Sequence, residues 1–291
     1  MNKAVIVIPI YKVTPDKYEV LSFLQCLKVL HRYRISIVTY ESLDMSYYSK
    51  ELQKSGVDYS FEFFDKDYFK DVAGYNLLLL SFEFYKRFKK YEYMLIYQLD
   101  AYVFRDELME WCAKGYDYIG APWFEGGYDA TPDSVFTGVG NGGFSLRKIS
   151  TALNIYKWYN FYKIRIPNQT LYEEFRKRNT DINWIKKLGS LKYLIFQLLG
   201  KGNNARFLIN RYGGNEDLFW VDFIPKYYSK FKIASIEEGY AFSFEMNPSL
   251  LFKKNNNKLP FGCHAWEKYE YEEFWKKHIK LEKKPIVYHK N

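Results

Sequence analysis

Apolar residues in this chain gather in short β-branched runs, separated by stretches where they recur every three or four positions. The opening AVIVIPIY is a run of the first kind, closed by the turn signal Thr14-Pro15-Asp16, and predicts a buried central strand. After Asp16, a candidate N-cap, Leu21, Leu24, Leu27 and Leu30 fall at helical spacing and predict a helix with those leucines on one face. ISIVTY at 35–40 predicts a second strand, and YSFEFF at 59–64 a third, beyond a polar helix. Another amphipathic helix is expected over 71–89. YMLIYQLDAYVF at 93–104 is the most apolar strand and carries Asp100 toward the edge of a sheet. Strands alternating with helices imply a mostly parallel sheet, whose ligands sit beyond the carboxyl ends of the strands.

Past residue 150 the rhythm lengthens into helical segments, a helical insert in the second half. In the stretch at 184–202, Trp184, Leu188, Leu191, Leu194, Ile195 and Leu198 share a face, and Lys186, Lys187, Lys192 and Lys201 add charge. Such a helix suits peripheral contact with an anionic membrane surface, and equally a core-packing helix with a solvated rim. The run KKNNNK at 253–258 reads as a surface loop.

Composition narrows the class. Apolar residues are 48% and charged residues 26% of 291, which excludes a disordered chain. The 43 basic and 34 acidic side chains leave a formal +9, suited to phosphate-bearing ligands, an anionic membrane or nucleic acid. The basic residues are dispersed among acids, and no RNP, KH or helix-turn-helix signature appears, which argues against nucleic acid. Aromatic residues reach 21%, as suits a site that stacks sugars or bases. Three scattered cysteines, Cys26, Cys112 and Cys263, make neither a disulfide framework nor a zinc cluster and favour a reducing, cytoplasmic setting. Pro9 interrupts the first apolar run before a secretory or membrane-spanning segment could form.

The chemistry-bearing segments are QLDAYVF, YIGAPW at 118–123, GVGNGGFSLRK at 138–148, GGNEDLFW at 213–220 and PFGCHAWEKY at 260–269. The last four pair a glycine-bearing turn with polar neighbours, and glycine lets a backbone approach a ligand closely. Together they resemble the glycosyltransferases of the GT-A fold, in particular a bacterial family of unknown function found among surface-polysaccharide genes. The resemblance runs from about residue 4 to about residue 275. It implies a single α/β domain of GT-A type, Rossmann-like, with a mostly parallel sheet flanked by helices. Its nucleotide-binding half would be about 1–125 and its acceptor and catalytic half about 126–275, followed by a basic C-terminal tail.

The resemblance also implies roles. Gln98-Leu99-Asp100 matches an Asp-x-Asp motif that holds a divalent ion, Mn²⁺ or Mg²⁺, against a nucleoside diphosphate. Asp100 and His264 inherit the metal position, while Gln98 replaces the first carboxylate and removes one charge. Asn141, Gly142 and Gly143 match the turn beneath the donor sugar, and Glu216 and Asp217 match the pair that binds the acceptor and supplies the base. Position in the fold adds Pro9, Tyr11, Lys12, Thr39, Tyr40, Glu41, Tyr75 and Asn76 as donor or nucleotide contacts. The expected partners are a UDP-linked nucleotide sugar and a glycan or lipid-linked acceptor, joined with inversion. Nucleotidyl transfer and a silent nucleotide-sugar binder stay open. So do plainer roles: a turn cap for Asp100, first-turn acids for Glu216 and Asp217, and a structural role for His264. Arg147 suits either a phosphate or a neighbouring carboxylate.

Overall fold

The computed structural model of the chain describes residues 3–160 and 212–280; the basic segment at 184–202 lies outside the described residues. They form two compact units, one of residues 3–69, 90–148 and 232–280, the other of 70–89, 149–160 and 212–231. The architecture is mixed α/β with a mostly parallel central sheet flanked by helices. Among the described residues no helix is long and apolar enough to cross a membrane.

The first unit holds the sheet. Its strands are β1 (Ala4–Pro9), β2 (Arg34–Thr39), β3 (Tyr59–Phe63), β4 (Tyr93–Tyr97), β5 (Ala101–Val103), β6 (Tyr118–Ile119), β7 (Ala121–Phe124), β8 (Phe136–Gly140), β9 (Phe144–Lys148), β10 (Ser243–Phe244) and β11 (Gly262–His264). The main sheet runs β3-β2-β1-β4-β9-β6. Strands β1 to β4 are parallel, and β9 runs against both β4 and β6. Every residue of β1 and of β4 is buried, so their near-continuous apolar runs match strands covered on both faces. β7 and β8 form a separate antiparallel pair, and β10-β11-β5 a third small sheet.

Between β1 and β2 lies α1 (Lys17–Val29). Asp16 caps it as expected: its Oδ1 accepts the Tyr18 and Glu19 N–H groups, and the Glu19 carboxylate accepts the Asp16 N–H, a complete capping box. The buried face is Phe23, Cys26, Leu27 and Leu30; Leu21 and Leu24 are only half-buried. The leucine spacing thus picks a stripe rotated from the true one, because Phe23 and Cys26 fill the core beside Ile6, Ile35 and Leu95. The polar helix α2 (Ser46–Ser55) ends at Gly56, whose φ of 69° is left-handed, and buries Tyr48 and Leu52.

Two other expectations are corrected. Residues 93–104 are not one strand: β4 stops at Tyr97, the Ala101 N–H closes a turn onto Gln98 O (2.9 Å), and β5 joins a different sheet. The expected helix over 71–89 is two, Val72–Leu79 and Phe82–Arg87, because the Ser81 hydroxyl accepts the Phe84 N–H and starts a new helix.

One residue anchors both ends of a long excursion. The Asp117 carbonyl accepts the Lys148 N–H (2.9 Å) at the end of β9, and the Asp117 N–H donates to Lys232 O (2.7 Å) where the chain returns. Asp117 Oδ2 also accepts the Lys232 N–H at 2.8 Å.

In the second unit, Tyr85 and Tyr156 each pack edge to face on Trp220, with ring centroids 5.3 Å apart for Tyr85–Trp220. The helical run 216–227 widens into a π turn over Phe219–Phe223, where the Ile224 N–H reaches five residues back to Phe219 O. Pro225 supplies the reason: it has no N–H for the carbonyl four residues earlier.

Candidate functional site

Four segments distant in sequence meet in the first unit at the carboxyl edge of the main sheet. The Gln98 N–H donates to Gly143 O (2.8 Å), which ties the turn after β4 to the turn between β8 and β9. β1 is in register with β4, Val7 opposite Ile96, so the chain leaves Pro9 at the same edge as Gln98.

The 141–143 turn is built around one asparagine. Asn141 has φ 100°, and its Oδ1 accepts the N–H groups of Gly143 (2.7 Å) and Phe144 (3.0 Å). Those two bonds fix the amide, so Nδ2 points outward and lies 3.0 Å from His264 Nδ1. Below the turn, the Tyr118 hydroxyl donates to Asn141 O at 2.7 Å. The Arg147 guanidinium stacks 4.9 Å over the Tyr118 ring and donates to that hydroxyl and to Ser145 Oγ. Arg147 is 2% exposed and braces the turn from inside the sheet.

His264 ends β11, which pairs antiparallel with β5 so that His264 stands opposite Ala101, the neighbour of Asp100. Its Nε2 lies 3.1 Å from Asp100 Oδ1 and 3.3 Å from Gln98 Oε1. Its Nδ1 lies 2.9 Å from Glu245 Oε1. Lys268 Nζ donates to the other oxygen of Asp100 at 3.1 Å. Ala265, directly after the histidine, holds a left-handed φ of 48°, a conformation unfavourable for alanine that tends to persist at functional sites.

These contacts set the charges. Burial alone would lower the His264 pKa, but the Asp100 and Glu245 carboxylates on its two nitrogens outweigh it and raise it to about 10. The two carboxylates thus favour the charged ring, which donates from Nε2 to Asp100, while Nδ1 lies between Glu245 Oε1 and Asn141 Nδ2. Burial alone would raise Asp100, yet His264 and Lys268 hold its carboxyl well below the usual carboxylate range. Burial pushes the nearby Glu267 carboxyl up, and the Asp100 charge adds to that. Burial also opposes the charge of Lys268, which Asp100 more than restores.

Among the described residues no group of three or more His, Cys, Asp or Glu side chains is placed to hold a metal ion. The set here is mixed: one carboxylate, one imidazole and one amide.

Of the residues nominated from sequence, Gln98, Asp100, Asn141, Gly143 and His264 thus come together, with Gly142 in the same turn. Pro9 is buried at the end of β1. Beyond it Tyr11 is 54% exposed, and Lys12 pairs with Glu19 at 2.7 Å. Thr39 is buried at the end of β2, and Glu41 is exposed. Between them Tyr40 packs on Phe69 (5.5 Å) beneath the Lys66 ammonium. Tyr75, Asn76, Glu216 and Asp217 belong to the second unit. There Asn76 Oδ1 accepts the Glu216 N–H (3.1 Å) at the start of the helix Glu216–Leu218, so both acids occupy a first helical turn. Glu216 is buried, Asp217 is half-buried, and Asp217 Oδ1 accepts the Leu218 N–H.

Sequence reasoning missed Glu245 and Lys268. The spacing His264-x-x-x-Lys268 was a usable signal for the second. Glu245 is brought to His264 by the parallel pairing of β10 with β11, Phe244 opposite Cys263, which two-residue strands do not announce.

The chain belongs to the family described as protein of unknown function (DUF5672), whose model matches residues 58–264. No curated protein matches it. Among solved structures it is similar to a glycosyltransferase involved in glycosylation of the major capsid of PBCV-1, at 10% identity over 96% of this chain and 100% of that one, TM-score 0.39. It is also similar to the glycosyltransferase GlyE of Streptococcus pneumoniae TIGR4, at 11% identity over 91% and 54%, TM-score 0.43. Mouse xyloside xylosyltransferase 1 matches at 11% identity over 90% and 97%, TM-score 0.46.

Proposed function

We propose that the protein is a glycosyltransferase that uses a nucleotide sugar, UDP-linked, and extends a surface polysaccharide or lipid-linked oligosaccharide with inversion. The observation that supports it most is the convergence of Asp100, His264 and Gln98 beside the Asn141–Gly143 turn at the carboxyl edge of the sheet, where α/β folds bind ligands.

A divalent cation would take the place of the proton on His264 Nε2, with Asp100 Oδ1 and Gln98 Oε1 as its other protein donors. An octahedral ion with donors at ~2.1 Å keeps adjacent donors roughly 3.0 Å apart, close to the 3.1 Å between His264 Nε2 and Asp100 Oδ1 and the 3.3 Å from Nε2 to Gln98 Oε1. Glu245 on Nδ1 is the outer carboxylate that metal-binding histidines commonly use to fix their tautomer. Three protein donors would leave positions for diphosphate oxygens. A bound Mn²⁺ or Mg²⁺ would supply Lewis-acid neutralisation of the departing diphosphate. Lys268, already on the outer oxygen of Asp100, adds a second positive charge within reach of the same phosphates.

The group transfer balances simply. The bond from the anomeric carbon to the diphosphate oxygen breaks, UDP leaves with that electron pair, and the acceptor oxygen bonds to the opposite face of the carbon. The acceptor's proton goes to a carboxylate, for which we assign Asp217, with Glu216 holding a neighbouring acceptor hydroxyl. Acceptor access at a membrane surface through 184–202 belongs to the same proposal.

Calorimetric titration of UDP with and without Mn²⁺, followed by turnover of labelled UDP-sugars, tests the reading. UDP heat that sharpens with Mn²⁺, and a product of inverted configuration, are expected. Absence of UDP heat in both conditions would sink it, and equal affinity in both would remove the metal.

A further inference from the structure

We infer that Trp123 is the stacking floor for a pyranose ring of the acceptor glycan, an inference that rests on the glycosyltransferase reading above. Trp123 lies on β7 opposite Gly138 of β8, and Ala121 lies opposite Gly140. Opposed residues of an antiparallel pair project from the same face, as do alternate residues along each strand. Ala121, Trp123, Gly138 and Gly140 therefore share one face of the hairpin, and Pro122 and Val139 the other.

The second face is internal. Val139 is buried, and a β-carbon on Gly239 of the helix Ile236–Phe242 would stand 2.8 Å from its Cγ2. On the first face Ala121 is buried and the two glycines carry no side chain, and the Trp123 indole lies across Gly140. A β-carbon on Gly140 would stand 1.9 Å from Trp123 Cζ2 and 2.4 Å from Cη2, and one on Gly138 would stand 3.9 Å from Cε3. The ring thus runs along β8, with its six-membered edge over Gly140, one residue before Asn141. Neither glycine has a positive φ, so the backbone does not require glycine at 140; the indole does.

Trp111, Trp220, Trp266 and Trp275 are buried, whereas Trp123 is half-buried. Among the described residues none accepts a hydrogen bond from its Nε1. An aromatic plate backed by the Gly140 backbone and only half-buried loses little freedom on binding. Its open face suits the C–H face of a sugar, leaving the hydroxyls at the rim for hydrogen bonds. With the diphosphate assigned to Asp100 and the donor sugar to the 141–143 turn, a ring on Trp123, which packs on Gly140 beside that turn, is assigned to the acceptor.

The test uses the whole chain labelled with ¹⁵N-tryptophan, the Trp123 indole signal being assigned by its loss in Trp123→Phe. Methyl β-D-galactopyranoside and methyl β-D-glucopyranoside are titrated with and without UDP. The Trp123 signal should shift while the other indole signals stay fixed. Trp123→Ala should weaken glycoside binding by about fivefold or more and leave calorimetric UDP affinity unchanged. Gly140→Ala keeps the indole but displaces it, and should cause the same loss. A Trp123 signal unmoved by both glycosides overturns the inference, as does a shift seen only with a UDP-sugar, which would make the plate a donor contact. UDP binding beside an unmoved Trp123 defeats this inference alone. A Trp123 shift without UDP binding defeats the glycosyltransferase reading and leaves a saccharide site.

Discussion

Gly143 and His264 are packed so closely that a β-carbon on the glycine would stand 2.0 Å from the imidazole Nε2. The backbone at 143 therefore serves as the wall of the histidine's slot, and the same residue's carbonyl accepts the Gln98 N–H. The strand-end motif, the glycine turn and the late histidine are one unit mechanically, although they are remote in sequence.

Gly143→Ala should damage that unit selectively. The added methyl displaces the ring from Asp100 or shifts the turn, at a cost of roughly 1–3 kcal/mol. A lowered melting temperature together with lost Mn²⁺-dependent UDP binding is expected. A variant with wild-type values of both would show that the ring is free to move away.

Glu245→Gln should separate orientation from ligation. The amide keeps the shape but not the charge that holds the Nδ1 proton, and such outer partners are typically worth ~10–100-fold in metal affinity. Mn²⁺ binding measured by paramagnetic resonance should weaken by that order, with UDP binding in chelator unchanged. Unaltered Mn²⁺ affinity would remove Glu245 from the site.

The ion pair predicts a stability profile with two edges. His264 has a raised pKa, so its contribution is complete below about 6.5 and is lost as pH rises toward about 10. Asp100 has a depressed pKa, so its contribution is present above about 4 and is lost as pH falls through the folded-state value. In chelator, the melting-temperature gap between wild type and His264→Gln should be widest between about 4 and 6.5 and should close toward about pH 10. A gap that grows with alkali would show the sign to be wrong.

Asp217→Asn should lower turnover by roughly 10²-fold or more while leaving UDP affinity intact. Asp100→Asn should instead weaken UDP binding in Mn²⁺. If Asp217→Asn turns over normally, or the product retains the donor's configuration, another base or a retaining route must be sought.

What the sequence disclosed depended on the range of the interaction. Asp16 and Glu19 sit three apart, and their capping box was readable because everything it needs is local. Asp100 was readable as a carboxylate following an apolar run. The break at Ser81 was not, since a serine hydroxyl inside an apolar stretch carries little weight until it caps. The α1 face was misplaced because Phe23 and Cys26 outcompete Leu21 and Leu24 for the core through contacts with distant strands. Glu245 stayed hidden for the same reason: a two-residue parallel pairing leaves no periodicity to detect.

Asp117 gives the chain a seam. Because the exit at Lys148 and the return at Lys232 hydrogen-bond to the same residue, the register of β6 and β9 is closed without reference to what lies between. Lengthening the intervening chain adds little closure cost, roughly 0.6 kcal/mol for each doubling. Insertions between Lys148 and Glu216 can therefore lengthen the chain while Asp100, Asn141, Glu245 and His264 keep their places in the sheet that holds them.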